Sequence, residues 1–100
     1  MMKLRINPLV AVDLKAIKDF IAEDNTDKAL ETVQKIYDQF EYIQQFPYIG
    51  VDLSKRVSFK NEYKYVVWED YVILYKVNED TVEIYRILNR YQDITRIFET

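Results

Sequence analysis

Tyr71-Val72-Ile73-Leu74-Tyr75-Lys76-Val77-Asn78-Glu79-Asp80-Thr81-Val82-Glu83-Ile84-Tyr85-Arg86-Ile87-Leu88 is two strand-length apolar runs around one polar turn. Its density of Val, Ile and Tyr suits a pleated, half-buried surface, and Asn78-Glu79-Asp80 supplies the turn. Upstream, Glu69-Asp70 separates Tyr71 from another run rich in Tyr, Val and Trp. Strands are therefore predicted over residues 57–63, 64–69, 71–78 and 81–88. The first two read as one bent strand, because Asn61-Glu62 is a poorer turn than the other two. The result is an antiparallel meander of three long strands.

Working back from Gly50, the period changes from 2 to 3.6. Ala29, Val33, Ile36, Phe40 and Ile43 step by four, three, four and three residues, and so share one helical face. Asn25-Thr26-Asp27 supplies N-cap oxygens for that helix; Pro47 ends it, and Gly50 is expected to take a positive φ in the turn that follows. Val10, Leu14, Ile17 and Ile21 make the same stripe in an earlier helix, which starts at Asn7-Pro8 and stops near Asp24. Two apolar stripes joined by a short link predict an antiparallel helical hairpin laid across one face of a sheet. Residues 3–7 read as a first strand and residues 94–98 as a short terminal helix. The expected class is α+β: an N-terminal strand, an antiparallel helical hairpin, an antiparallel β-meander and a short C-terminal helix, in a single domain over residues 1–100.

Composition narrows the chemistry. The 100 residues are 49% hydrophobic and 31% charged, which suits one globular core. The longest apolar runs fall far below the ~18 residues of a membrane span, and Met1-Met2-Lys3-Leu4-Arg5 lacks a signal peptide's apolar stretch, so a cytoplasmic protein is expected. The chain has no cysteine and no histidine. Thiol nucleophiles, disulfides, Cys/His zinc sites and imidazole acid–base chemistry are thereby excluded. Proton transfer would fall to carboxylates, lysines or the nine tyrosines, and no acidic cluster in the sequence suggests a metal.

Net charge is −3, from 14 basic and 17 acidic residues, a poor balance for a protein that mainly neutralises phosphates. Local charge differs. Lys55, Arg56, Lys60 and Lys64 face only Glu62 within that segment, and Arg86, Arg90 and Arg96 follow. They read either as a basic binding face or as solvated surface charges. Strict alternation puts Arg86 in one row with Ile84 and Leu88. Its guanidinium either pairs with a carboxylate such as Asp93 or Glu83, or opens into a cleft able to hold a phosphate or a partner's carboxylate. Arg90 and Tyr91 fall just past the strand end, held by the sheet yet accessible, while Asp93 can cap the terminal helix. Tyr63, Tyr65, Trp68, Tyr71, Tyr75 and Tyr85 read as sheet packing before a base-stacking platform.

These pieces together resemble the RelE/ParE family of bacterial toxins. The similar features are Asp13-Leu14 with Ile17, Ala29 opening the second helix, Phe46-Pro47 to Gly50, Tyr63-Lys64, and Tyr71 to Tyr75 before a charged ending. That ending, Ile87-Leu88-Asn89-Arg90-Tyr91-Gln92-Asp93, is similar to the family's Ile-Leu-His-x-x-x-Asp type segment. The resemblance covers nearly the whole chain. It implies a toxin of a type II toxin–antitoxin, plasmid-stabilisation-like module, with a cognate antitoxin as partner and no cofactor.

The family implies two routes to growth arrest. RelE-like members cut mRNA in the ribosomal A site; ParE-like members poison DNA gyrase and need no nuclease residues. Val72, Tyr63 and Tyr65 stand where the nucleases carry arginine and lysines, Asn89 replaces a histidine, and Arg90-Tyr91 aligns with the His-Tyr ending of YoeB-type nucleases. These departures favour inhibition of a protein target, gyrase first, with Arg56, Lys60, Lys64, Arg86, Arg90 and Tyr91 as the contact set for target or antitoxin. The alternative is a ribosome-dependent endoribonuclease, in which Arg90 or a Lys55-Arg56 pair stabilises the transition-state phosphate and Tyr91 positions or transfers a proton. A third reading is a module that has lost activity and still binds antitoxin.

Overall fold

A computed structural model describes residues 2–92 together with Ile94 and Arg96. Strand β1 (Lys3–Ile6) leads into α1 (Pro8–Ala22), and α2 (Thr26–Gln45) returns beside it. A two-residue strand β2 (Val51–Asp52) and a single 3₁₀ turn (Leu53–Lys55) precede β3 (Tyr63–Trp68), β4 (Tyr71–Val77) and β5 (Thr81–Asn89). The helix starts follow the local chemistry. Asn7 Oδ1 accepts from Leu9 N at 2.9 Å, and Asn25 Oδ1 accepts from Lys28 N at 3.0 Å, each satisfying a donor that the first helical turn leaves without a partner.

The five strands form one mixed sheet in the order β1-β5-β4-β3-β2. β3, β4 and β5 are the antiparallel meander expected, while β1 lies parallel to β5, from Lys3 opposite Thr81 to Ile6 opposite Ile84. The helical stripes cover one face: Val10, Leu14, Ile36, Phe40 and Ile43 pack with Ile73, Tyr75, Val82, Ile84 and Ile87. Burial of each such side chain contributes about 1.5–3 kcal/mol before conformational entropy is subtracted. The opposite face has its own apolar cluster of Leu53, Val72, Leu74, Leu88 and Ile94, flanked by the half-buried Tyr63, Tyr65 and Tyr85. The aromatic residues are thus split between two faces and make no single platform, since Trp68, Tyr71 and Tyr75 pack on the helix side.

Two expectations change. Residues 57–62 are not a strand: Asn61 Oδ1 accepts from Tyr63 N at 2.9 Å and its Nδ2 donates to Phe59 O, an Asx-type turn that starts β3 only at Tyr63. Gly50 has no positive φ. Its missing Cβ instead admits the Tyr75 phenol, whose hydroxyl accepts from Gly50 N at 2.9 Å and donates to Pro47 O at 2.8 Å. The positive φ belongs to Glu69 (φ 53), in the two-residue turn between β3 and β4. The terminal helix expected over residues 94–98, and Asp93 as its cap, lie outside the described residues apart from Ile94 and Arg96.

Candidate functional site

The geometry around Arg86 is set by a β-bulge. Leu74 pairs with Arg86 but Tyr75 pairs with Ile84, so Tyr85 is the extra residue and the alternation of β5 shifts by one there. Ile84 and Ile87 therefore both face the helices, and Arg86 pairs with Leu74 of the opposite cluster, out of the row of Ile84. Its guanidinium meets neither Asp93 nor Glu83. Nε and Nη2 donate to the two carboxylate oxygens of Asp13 in α1, at 2.8 and 3.0 Å, and Asp13 Oδ2 also accepts from the backbone N–H of Ile87 at 3.0 Å. β1 pairs with β5 only as far as Ile84, so Asp13 supplies the acceptor that a neighbouring strand would have given Ile87. With Arg86 24% and Asp13 11% exposed, the fork-to-carboxylate pair ties α1 to the sheet and leaves Arg86 little freedom for a ligand. The Asp13 hydrogen bonds raise the Arg86 pKa, which keeps the cation charged at any working pH.

Lys64, the second candidate cation, is also engaged. Its ammonium lies 2.6 Å from Asp52 Oδ1, with the Lys64 side chain 19% exposed, and sits 5.7 Å from the Tyr48 ring centroid. Asp52 has its pKa lowered by that hydrogen bond and by the Lys64 charge. This contact crosses the β2–β3 edge, where Asp52 pairs with Lys64 in register. Arg56, past the 3₁₀ turn, is exposed and lies 5.5 Å from the ring centroid of Tyr65. Lys76 stands 5.0 Å from the Tyr63 ring, which in turn is 5.1 Å from Tyr85. Burial raises the Tyr63 pKa, with Tyr85 beside it adding to the shift. Lys55 and Lys60 are exposed and make no ion pair among the described residues.

Arg90 and Tyr91 occupy the other end of the sheet. Arg90 N donates to Asp70 O at 2.8 Å and its Nη1 to Glu69 O at 3.3 Å, so the β3–β4 turn holds the residue that follows β5. Asn89 Oδ1 accepts from Tyr91 N at 2.9 Å, and the Tyr91 ring, 79% exposed, lies 5.8 Å from the Arg90 guanidinium. From Tyr65, beside Arg56, this corner is three residues along the strands and two strands across, roughly 10 Å each way. No hydrogen bond, ion pair or ring contact joins Lys55 to Arg90 or Tyr91 among the described residues. The structure therefore presents an Arg56–Tyr65 edge and an Arg90–Tyr91 corner as separate features. Among the described residues no group of three carboxylates is placed to hold a metal ion, and no helix is long and apolar enough to cross a membrane.

Sequence reasoning missed Asp13 and Asp52, the carboxylates that engage two of the candidate cations, and Tyr75, whose phenol organises the turn after α2. Alternation along a strand says nothing of which distant carboxylate will meet a cation. For Tyr75 a signal existed: the chain's single glycine lies three residues after Pro47, where a close approach is natural.

The arrangement has relatives. The family model described as the ParE toxin of the type II toxin-antitoxin system, parDE, matches residues 4–94. No curated protein matches the chain. Among solved structures, the chain is similar to one described as the chromosomal ParDE TA system from P. aeruginosa, with 27% identity and a TM-score of 0.74 over 89% of this chain and 96% of that one. The family model's residues 4–94 take in the helical hairpin, the 3₁₀ turn and nearly all of the mixed sheet, and the chain belongs to the ParE toxin family of type II toxin-antitoxin systems.

Proposed function

We propose that the chain arrests growth by binding a host protein, DNA gyrase first, and is held in check by a cognate antitoxin encoded beside it. The observation that carries this reading is the Arg90–Tyr91 corner. An exposed tyrosine and an arginine stand at a strand end, their backbone fixed by bonds to Asp70 and Asn89. Tyr and Arg side chains on rigid backbone are the residues that most often dominate protein interfaces. A nuclease reading that takes its phosphate-binding cation from Lys55-Arg56 needs Tyr91 close to that pair, and no contact joins Lys55 to Tyr91 among the described residues; the form that pairs Arg90 with Tyr91, 5.8 Å apart, is the one the RNA assay decides. The antitoxin's place is the sheet face away from the helices, where Val57, Tyr63, Tyr65 and Tyr85 are half-buried beside the Leu53 cluster.

Two assays on the same purified protein test the reading. Gyrase supercoiling should be inhibited, and Tyr91→Ala or Arg90→Ala should weaken inhibition by about tenfold or more, as for a hot-spot residue, with an unchanged melting temperature. Primer extension on mRNA bound to programmed ribosomes should show intact RNA. New RNA ends confined to A-site codons would overturn the proposal in favour of the ribosome-dependent endoribonuclease, and would send attention to Arg90, Tyr91 and Lys55. Loss of neither gyrase activity nor RNA, with antitoxin still bound, would leave an inactive antitoxin-binding module.

A further inference from the structure

A groove of about 760 Å³ opens between the turn joining α1 to α2 and the turn joining β3 to β4. Its aromatic lining is Phe20, 73% exposed, and the stacked pair Trp68 and Tyr71, whose ring centroids are 6.4 Å apart with planes 19° from parallel. Around these rings stand five carboxylates, Asp24, Asp27 and Glu31 from the helical side and Glu69 and Asp70 from the hairpin, against two ammonium groups, Lys28 and Lys35. Lys35 is engaged with Glu31 at 2.8 Å. Asp24, Asp27 and Asp70 make no ion pair among the described residues. The lining thus carries a net −3, the net charge of the whole chain, so the other residues balance and the excess is gathered around one concavity.

We propose that this groove binds an arginine-bearing segment of a partner polypeptide. A cleft walled by one sign of charge focuses its field and gathers counter-charge. The faces of Trp, Tyr and Phe rings are the negative faces of a quadrupole and attract cations. Guanidinium meets both demands at once: it is planar and weakly hydrated, stacks on an aromatic face, and offers paired donors to a carboxylate. The volume lies within the range of ligand clefts and leaves room for an arginine side chain together with part of its segment. The same field repels nucleic acid, so this face points away from any RNA or DNA. The inference needs neither gyrase nor the ribosome as target, because its test uses only the purified full-length chain and a synthetic peptide.

Trp68 is the one tryptophan in the chain and reports directly on the groove. The probe is an N-acetylated, C-amidated hexapeptide containing two arginines, titrated at low salt against Trp68 fluorescence; its control carries citrulline, the neutral isostere, at both positions. The arginine peptide should give a saturable change that weakens as salt rises, and the citrulline peptide should bind about tenfold more weakly or not at all. The double variant Asp24→Asn, Asp27→Asn, at two exposed positions, should lower affinity by about three- to tenfold with an unchanged melting temperature. Equal binding of the two peptides, no Trp68 response to the arginine peptide at millimolar concentration, or full affinity in the double variant would each overturn the proposal. So would spermidine matching the peptide's affinity, which would mark a polyamine site, or self-association that the double variant abolishes, which would make the occupant a second copy.

Discussion

Gly50→Ala tests the packing argument most directly. A Cβ at residue 50 would overlap the Tyr75 hydroxyl and lie 2.8 and 2.9 Å from two ring carbons of a side chain that is fully buried. Tyr75 sits in the central strand between β3 and β5, so its ring has no free space to enter. Overpacking of a core by one methyl costs about 1–3 kcal/mol. Displacing the phenol also weakens the bonds to Gly50 N and Pro47 O, at about 1 kcal/mol each. Because Gly50 has no positive φ, alanine gains back only about 0.4–1 kcal/mol through the unfolded chain. The net loss is roughly 2–4 kcal/mol, a fall of about 10–25 °C in melting temperature for a domain of this size. Urea unfolding followed by Trp68 fluorescence measures it. Tyr75→Phe removes the overlapping hydroxyl, so the double variant should be less destabilised than the sum of the singles by about 1 kcal/mol or more. A Gly50→Ala protein within about 0.5 kcal/mol of the parent, or strict additivity in the cycle, would refute the close-approach account of this glycine.

Asp13→Ala should destabilise by about 2–4 kcal/mol in the same unfolding assay, since it strands both the Arg86 guanidinium and the Ile87 N–H, whereas Asp13→Leu with Arg86→Met should recover much of that loss. Glu69→Gly should raise the unfolding free energy, by up to about 1 kcal/mol, because glycine adopts φ 53 without strain and the carbonyl that Arg90 uses remains in place. Burial raises the Tyr75 pKa above the ordinary value of 10.0, so the folded state holds the phenolic proton more tightly than the unfolded chain. Stability from this group is fully present below pH 10.0 and is lost as pH rises above that value through the folded pKa; a pH series of denaturant midpoints should fall less steeply there in Tyr75→Phe.

How far the sequence can be read depends on the range of the interaction that decides each feature. Asn7 and Asn25 start the helices because their own side chains satisfy backbone donors two or three residues away. The hairpin β4–β5 turns at Asn78 to Asp80 for equally local reasons, and period alone separated helices from strands. Residues 57–62 misled because Val57 and Phe59 raise strand propensity, while the Asn61 side chain and the covering of Leu53 decide the path. In the candidate site, Arg90 and Tyr91 were legible as the end of a strand, but the engagement of Arg86 and Lys64 was not.

The amino-acid sequence by itself determined the first strand, the two helices and the hairpin β4–β5, with boundaries within a few residues, and the exclusion of thiol and imidazole chemistry, since these rest on neighbours along the chain and on which side chains exist. Only the tertiary structure decided that β1 lies parallel to β5, that a bulge at Tyr85 takes Arg86 out of the row of Ile84, and that Asp13, 73 residues away, receives its guanidinium. It alone gathered Phe20, Asp24 and Asp27 with Trp68 and Asp70 around one groove. Those outcomes depend on burying two sheet faces at once, and on a carboxylate replacing a missing strand at the edge of β5. The energies involved are sums over contacts distant in sequence, which no local window contains.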